Sequence, residues 1–335
     1  MQGNAIFRCD ASPTIGGGHV MRSVALAERF HDRGWTVAFL VKPETVRYVP
    51  IGSFRDFIVL EASEDILHQV AQIKMVLGAV DIVVIDSYEL DREYEAVLRD
   101  LGGRILVVDD IETREHDCDW LLDASQDRDS QKYKGLVPDG CIRLFGPDYV
   151  CIRADIKIHR SRLAKVTNGA EHAIFVSFGA SDSGGGTQLA LDAFGELSPP
   201  PALSVATSGA NPIVASLRNR PNVRLFVDTA DIGGAMAASS IGVGAAGVAA
   251  WERCFLGVPS IILSTAENQV SIANTIARAG AALYLGAVAD CAPKLLASEI
   301  RRLLDSPELR ETMRENALRL VDGLGADRII DAVIV

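Results

Sequence analysis

Short apolar runs separated by amphipathic helical patterns set the tightest limit on what this chain can fold into. In the first half the runs fall at residues 5–9, 36–41, 57–60, 81–85, 104–108 and 120–122. In the second half they fall at 173–178, 203–207, 223–227, 241–244 and 260–263. Most are continuous in Ile, Val, Leu or Phe instead of alternating, the pattern of strands covered on both faces in a parallel sheet. Helical spacing fills gaps between and after them, notably at 19–33, 64–77, 91–101, 267–279, 292–304 and 307–320. The alternation pauses around 147–162, where 153–163 reads as a connecting helix and Thr167-Asn168-Gly169 as a boundary. At 335 residues the chain is long enough for two domains with full cores. The predicted class is α/β, with two doubly wound, Rossmann-like parallel sheets facing across a cleft, in domains 1–160 and 168–320. Ligands of such sheets bind beyond the carboxyl ends of the strands.

One such strand end carries Ile15-Gly16-Gly17-Gly18-His19, with Arg22 three residues on. Val20, Val24, Ala27 and Phe30 follow at helical spacing, so the glycines occupy a strand-to-helix turn. Gly16, Gly17 and Gly18 remove every Cβ from that turn, and its backbone can press against a ligand. The unpaired N–H groups of the helix's first turn favour an anion such as phosphate. His19 sets an imidazole, a side chain suited to general-base work, beside this cradle. The turn is not a Walker A loop, because no Lys-Ser/Thr follows, and Met21 stands where G-x-G-x-x-G needs its third glycine. On the loop alone, His19 reads equally well as a helix-start residue making a local hydrogen bond.

A second constellation is Gly244-Ala-Ala-Gly247-Val248-Ala249-Ala-Trp251-Glu252. A strand ends in small residues and a helix starts near Gly247, giving another anion site. Glu252, about a turn deeper, could accept two hydroxyls of a ribose. Without further context, tight helix–sheet packing with a surface glutamate fits those residues better. Ala266-Glu267-Asn268-Gln269 opens the next helix with polar side chains facing the same region. Asp117-x-Asp119 and Asp127-x-Asp129 mimic metal-binding motifs, but no histidine stands at ligand spacing, and they read as solvated or capping carboxylates.

The net charge of −11 argues against a nucleic-acid partner, which needs a basic stripe, so an anionic ligand must be held by local amides and helix ends. No apolar run approaches the roughly 20 residues of a membrane span, and no signal-peptide pattern opens the chain. Six cysteines are scattered without C-x-x-C spacing, which suits reduced thiols in a cytoplasmic protein.

The block Arg8-x-Asp10-Ala11-Ser12 through Ile15-Gly16-x-Gly18-His19-x-x-Arg22 resembles the opening of the nucleotide-sugar hydrolases of pseudaminic acid biosynthesis. Asp86-Ser87-Tyr88, Asp109-Asp110, His116-Asp117-Cys118-Asp119, Ser177-Phe178-Gly179-x-Ser181-Asp182, Trp251-Glu252 and Glu267-Asn268-Gln269 resemble the family's later blocks in order. The opening block together with the Glu-Asn-Gln block is specific, whereas either alone is shared with MurG-like glycosyltransferases.

The resemblance implies a GT-B fold and a UDP-linked 2,4-diacetamido-2,4,6-trideoxy sugar as substrate, with no cofactor and no metal. It makes His19 the catalytic base and gives Glu252, Asn268 and Gln269 to the ribose, sugar or phosphate groups. Tyr88 and Ser181 then line the substrate pocket, and residues 227–236 frame the uracil. Residues 321–335 would be a tail that packs back on the first domain, and the protein would act as a monomer. The sequence departs from its relatives at Val248-Ala249, where they carry Ser or Thr, and at Gly179-Ala180-Ser181-Asp182-Ser183 in place of Gly-Gly-Ser-Asp-Pro. Losing a hydroxyl donor to a charged phosphate weakens binding by about 1.5–3 kcal/mol. The expected reaction is inverting attack of water at the anomeric carbon. A MurG-like transferase, a hydrolysing 2-epimerase and an inactive sugar-nucleotide-binding protein are the competing readings.

Overall fold

The computed structural model describes residues 3–49, 52–126, 130–160, 173–180, 182, 184–229 and 231–334. The first elements in chain order are β1 (Asn4–Cys9), α1 (Gly18–Asp32), β2 (Thr36–Val41), α2 (Pro43–Tyr48), β3 (Ile58–Glu61), α3 (Ile66–Leu77), β4 (Ile82–Asp86) and α4 (Arg92–Leu98). Next come β5 (Arg104–Val108), β6 (Trp120–Asp123), β7 (Ile142–Phe145), α5 (Ala154–Lys157), β8 (Ala173–Ser177), α6 (Gly186–Gly195), β9 (Ala202–Thr207), α7 (Ile213–Leu217) and β10 (Val223–Val227). Last are α8 (Ile232–Ala237), β11 (Ile241–Ala245), α9 (Val248–Phe255), β12 (Ser260–Ser264), α10 (Gln269–Arg278), β13 (Ala282–Ala287), α11 (Pro293–Asp305), α12 (Pro307–Leu320) and α13 (Gly325–Val333). Among the described residues no helix is long and apolar enough to cross a membrane.

The chain divides into two compact units, Met1–Arg153 with Leu324–Val335, and Ala154–Gly323. The first holds a parallel sheet in the order β3-β2-β1-β4-β5-β6-β7, and the second a parallel sheet in the order β10-β9-β8-β11-β12-β13. Neighbouring residues of β1 show why the strand sequences are continuous and apolar. Phe7 joins the core on one face of the sheet, stacked on Phe39 at 5.1 Å, while Ile6 joins a separate core on the other face with Leu40, Val83 and Ile85. Both faces are covered, which favours apolar positions; the exception inside β1 is Arg8, whose buried guanidinium pairs with Asp10 at 2.7 Å.

Helices distant from the candidate ligand ends are capped in the ordinary way. Asp65 accepts the Leu67 and His68 N–H groups at the start of α3, Asp91 does the same for Glu93 and Tyr94 of α4, and Ser306 caps α12. The helix α13 packs its Ile329, Ile330 and Val333 into the core beneath α1. Arg29 of α1 and Arg33 just past its end reach Asp327 at 2.7 and 3.0 Å, and Arg104 donates to the Val333 carbonyl at 2.8 Å.

The segment 46–57, which as sequence offers the one apolar patch a membrane-surface transferase could use, is largely drawn into the core at its described aromatic residues, while Val46 stays 50% exposed. Tyr48, Phe54 and Phe57 pack against the first unit's core, and α2 buries Thr45. The sheets also run further than the apolar runs suggest. The first unit's last strand is β7 rather than the 120–122 run, and β13 extends the second sheet. Both are edge strands; β7 exposes Ile142 and Arg143, and β13 shifts register against β12 between Ile262 and Ser264. An edge strand buries less, so its sequence need not be apolar. The connecting helix read at 153–163 is the single turn α5, and its last positions, with Thr167-Asn168-Gly169, lie outside the described residues.

Beside β5 lies a buried charged network. Glu95 of α4 takes His116 Nδ1 at 2.7 Å and the Asp117 N–H at 2.5 Å, while His116 Nε2 stands 3.8 Å from Asp109. Asp109 also takes Arg114, the N–H groups of Ile111 and Glu112, and the Tyr133 hydroxyl. Burial opposes the imidazolium, yet Asp109 and Glu95 outweigh it and push the His116 pKa up to about 9.

Two predictions follow from this packing. A Cβ on Gly325 would lie 2.2 Å from the Val150 carbonyl oxygen. Gly325→Ala should therefore displace the start of α13 and cost about 1–3 kcal/mol of stability in urea unfolding. The His116 pKa lies above the ordinary histidine value of about 6.5. Its stabilisation is complete below that pH and lost as pH rises through about 9. Urea unfolding from pH 6 to 9.5 should show stability falling by up to about 3 kcal/mol. His116→Gln should flatten that slope; an unchanged slope would assign it to another group.

Candidate active site

The first sheet reverses its direction of growth between β1 and β4, and their register pairs Cys9 with Asp86. The turn after β1 and the Asp86-Ser87-Tyr88 segment therefore emerge side by side at the carboxyl ends of the strands. The Ser12 carbonyl accepts the Gly16 N–H at 2.8 Å and the Ser12 hydroxyl accepts the Ile15 N–H at 3.2 Å, closing a tight turn. Gly16 has φ +80°, which L side chains rarely adopt. Helix α1 then begins at Gly17 and Gly18 with no side-chain cap. A Cβ on Gly16 or Gly17 would meet nothing within 4 Å, so the turn fronts open space.

His19, in the first turn of α1, places Nδ1 2.5 Å from Asp86 Oδ1. Arg22, one turn along the same face, grips Asp86 with both Nε (2.6 Å) and Nη2 (2.7 Å), and its Nη1 reaches Asp110 at 2.8 Å. Arg22 Nη2 also lies 3.2 Å from His19 Nδ1. Arginine only donates, and the shorter contact to the carboxylate assigns the Nδ1 proton, so both nitrogens direct protons at one oxygen of Asp86. This leaves Nε2 as the imidazole's proton acceptor. Asp86 is fully buried, which by itself would raise its pKa, but Arg22 and His19 outweigh burial and hold the carboxyl at about 2. The Tyr88 ring meets His19 edge-on at 4.4 Å, and its hydroxyl donates to Asp110. Burial and the adjacent Asp110 push that phenol well above its usual range.

The second sheet repeats the plan, reversing between β8 and β11. Helix α9 starts after Gly247 without a side-chain cap, and Gly247, Val248 and Ala249 are half-buried. Glu252 is 4% exposed, deeper than a surface glutamate. Asn268 precedes α10, and Gln269 uses its side-chain carbonyl to accept the Thr265 N–H at 2.9 Å, shaping the turn after β12. The turn after β8 is different. Asp182 accepts the Gly186 and Thr187 N–H groups at 2.8 and 2.9 Å, so a carboxylate already occupies the start of α6. Ser181 lies outside the described residues.

In the first unit, then, Gly16, Gly17, Gly18, His19, Arg22 and Tyr88 come together; in the second, Gly247, Val248, Ala249 and Glu252 share α9, with Asn268 and Gln269 at α10. Asp86 and Asp110 were quoted from the sequence without a role, yet they organise the first group. Their signal was present: each stands where an apolar strand run gives way to a carboxylate. Asp117 and Asp119 both pair with Arg99, and Asp119 also accepts the Ile105 N–H. Asp127 and Asp129 lie outside the described residues. Among the described residues no group of three or more His, Cys, Asp or Glu side chains is arranged to hold a metal.

No family model matches the chain. Its sequence is 28% identical over 283 residues to the UDP-2,4-diacetamido-2,4,6-trideoxy-beta-L-altropyranose hydrolase of Campylobacter jejuni, covering 82% of this chain and 96% of that protein. In structure it matches MurG of Acinetobacter baumannii with a TM-score of 0.64 at 13% identity, over 99% of both chains. A putative UDP-N-acetylglucosamine 2-epimerase of Listeria monocytogenes gives a TM-score of 0.64 at 14% identity, over 99% of this chain and 96% of that one. At such identities the structural matches speak for the fold alone. Paired parallel sheets and these neighbours make the chain a GT-B protein, and over most of its length its sequence is similar to that of a nucleotide-sugar hydrolase.

Proposed function

We propose that the protein hydrolyses a UDP-linked 2,4-diacetamido-2,4,6-trideoxy sugar to free sugar and UDP. The observation that carries this reading is the bond from His19 Nδ1 to Asp86, which leaves Nε2 to accept a proton beside an uncapped, glycine-walled helix start. The sequence similarity to the Campylobacter hydrolase supports the substrate class. Water gives a proton to His19 Nε2 as its oxygen bonds to the anomeric carbon. The bond from that carbon to the β-phosphate oxygen breaks, and its electron pair leaves with UDP. Attack opposite the leaving group inverts the anomeric configuration.

Asp86 fixes the imidazole's tautomer and stabilises the imidazolium as it forms. Arg22, anchored on two carboxylates, holds Asp86 ionised without competing for the proton. The N–H groups opening α1 and α9 are the diphosphate-binding groups in this reading. Glu252, Asn268 and Gln269 serve ribose, sugar or phosphate groups, while Tyr88 lines the sugar. No metal or cofactor takes part.

Incubation with a panel of UDP-linked amino sugars, followed for UDP release, tests the reading. Free sugar should appear without any acceptor and with carbon 2 unaltered; a sugar changed at carbon 2 would make the protein an epimerase. His19→Asn should lower turnover by about 10²–10⁴-fold while UDP binding stays nearly unchanged. A fully active variant would remove His19 from the base role. Asp86→Asn should lower turnover by about 10²-fold or more, because the amide cannot stabilise imidazolium. Chelator should leave the rate as it is.

A further inference from the structure

A whole cation lies buried beneath the start of α9. Arg253 is 0% exposed. Its Nε donates to the Ser260 hydroxyl at 3.2 Å and its Nη2 to the Ala245 carbonyl at 3.1 Å, while Nη1 has no partner. Among the described residues no carboxylate forms an ion pair with it, and the nearest support for its charge is the through-space attraction of the adjacent buried Glu252. Burial lowers its pKa to about 10, so the guanidinium is charged at neutral pH.

The sheet is shaped to admit this side chain. A Cβ on Gly242 would lie 2.6 Å from Arg253 Cδ, and one on Gly244 would lie 3.1 Å from Nη1 and 2.1 Å from the Ser177 carbonyl oxygen. Two strand positions are thus given up to glycine so that a guanidinium can lie across them. Its bond to Ala245 fixes the charge at the last residue of β11, two residues before Gly247. Burying an unpaired charge is destabilising, and a hydrophobic side chain of similar volume would serve the fold better. A charge kept there despite that cost needs a counter-charge, and the open, uncapped turn from Gly247 to Ala249 is where an anion could supply one.

We propose that Arg253 is a positioning residue of this second anion site. Its buried charge and its bond to Ala245 hold the 244–247 turn and raise that turn's affinity for the diphosphate of a nucleotide. In this role it makes up for the hydroxyl that Val248 and Ala249 do not provide. The inference rests on reading α9 as the diphosphate site, but not on the role of His19.

Calorimetric titration of the full chain with UDP and with uridine tests it, on the parent, Arg253→Met and Arg253→Lys, each with a thermal melt. Arg253→Met should melt at or above the parent temperature, yet bind UDP about tenfold or more weakly. Uridine affinity should change by less than about twofold, because the base and ribose meet other groups. Arg253→Lys keeps the charge without the fork and should fall between the two in its UDP-to-uridine ratio; it decides the matter if the methionine variant does not fold. A ratio equal to the parent's in the folded variants would overturn the proposal, as would a parent that binds UDP no better than uridine. Turnover is read separately in His19→Asn. Activity surviving there would remove His19 from the base role, and a parent that releases no UDP from any UDP-sugar would sink the hydrolytic reading; either leaves the arginine result standing.

Discussion

The first unit's chemistry depends on one carboxylate that water cannot reach. Asp86 ends a strand of Ile and Val, and at full burial an ionised carboxyl is stable only if other charges surround it. Arg22 supplies two hydrogen bonds and His19 a third, so residues 67 and 64 positions apart in sequence form one rigid unit. The imidazole's orientation is thereby set by a strand and a helix, not by a loop. That is the kind of support a proton-transfer group needs, since an error of an ångström is enough to lose much of its effect. Asp110, carrying Arg22 on one oxygen and Tyr88 on the other, extends the same network to the tyrosine that lines the sugar in the proposed reaction.

In the proposed reaction the two units would meet the diphosphate by different means. In the first, charged side chains surround the glycine turn. In the second, the turn after β11 offers backbone amides, with a buried guanidinium behind it. The start of α6, which looks equivalent in sequence, is already satisfied by Asp182. A net charge of −11 makes such local arrangements necessary, because the surface as a whole repels an anion.

What could be read from the sequence follows from how strongly each position is constrained. Central strands were legible because both faces are buried, and the edge strand β10 and helix α12 also match their expected limits of 223–227 and 307–320. The edge strand β7 was not, since its Ile142 and Arg143 face solvent, and β13 went unread although its sequence, Ala-Leu-Tyr-Leu-Gly-Ala, is apolar. Helix α2, six residues opened by Pro43, is too short to show a period. His19 could be picked out by its place after the glycines, but its partner could not, because only the β1–β4 register brings Asp86 to it. Arg253 was illegible for another reason: within Trp-Glu-Arg a charged residue reads as surface, and only the glycines of β11 reveal that it turns inward.

The return of α13 to the first unit has a bearing on how the protein is made. Its Ile329, Ile330 and Val333 complete a core begun by β1, yet the ribosome produces them only after the entire second unit. The second unit can thus be finished while the first still lacks a wall, reversing the usual order in which amino-terminal domains fold first. Until α13 emerges, α1 rests on β1, β2 and β4 alone, and the side of that core which Ile329, Ile330 and Val333 close stays open.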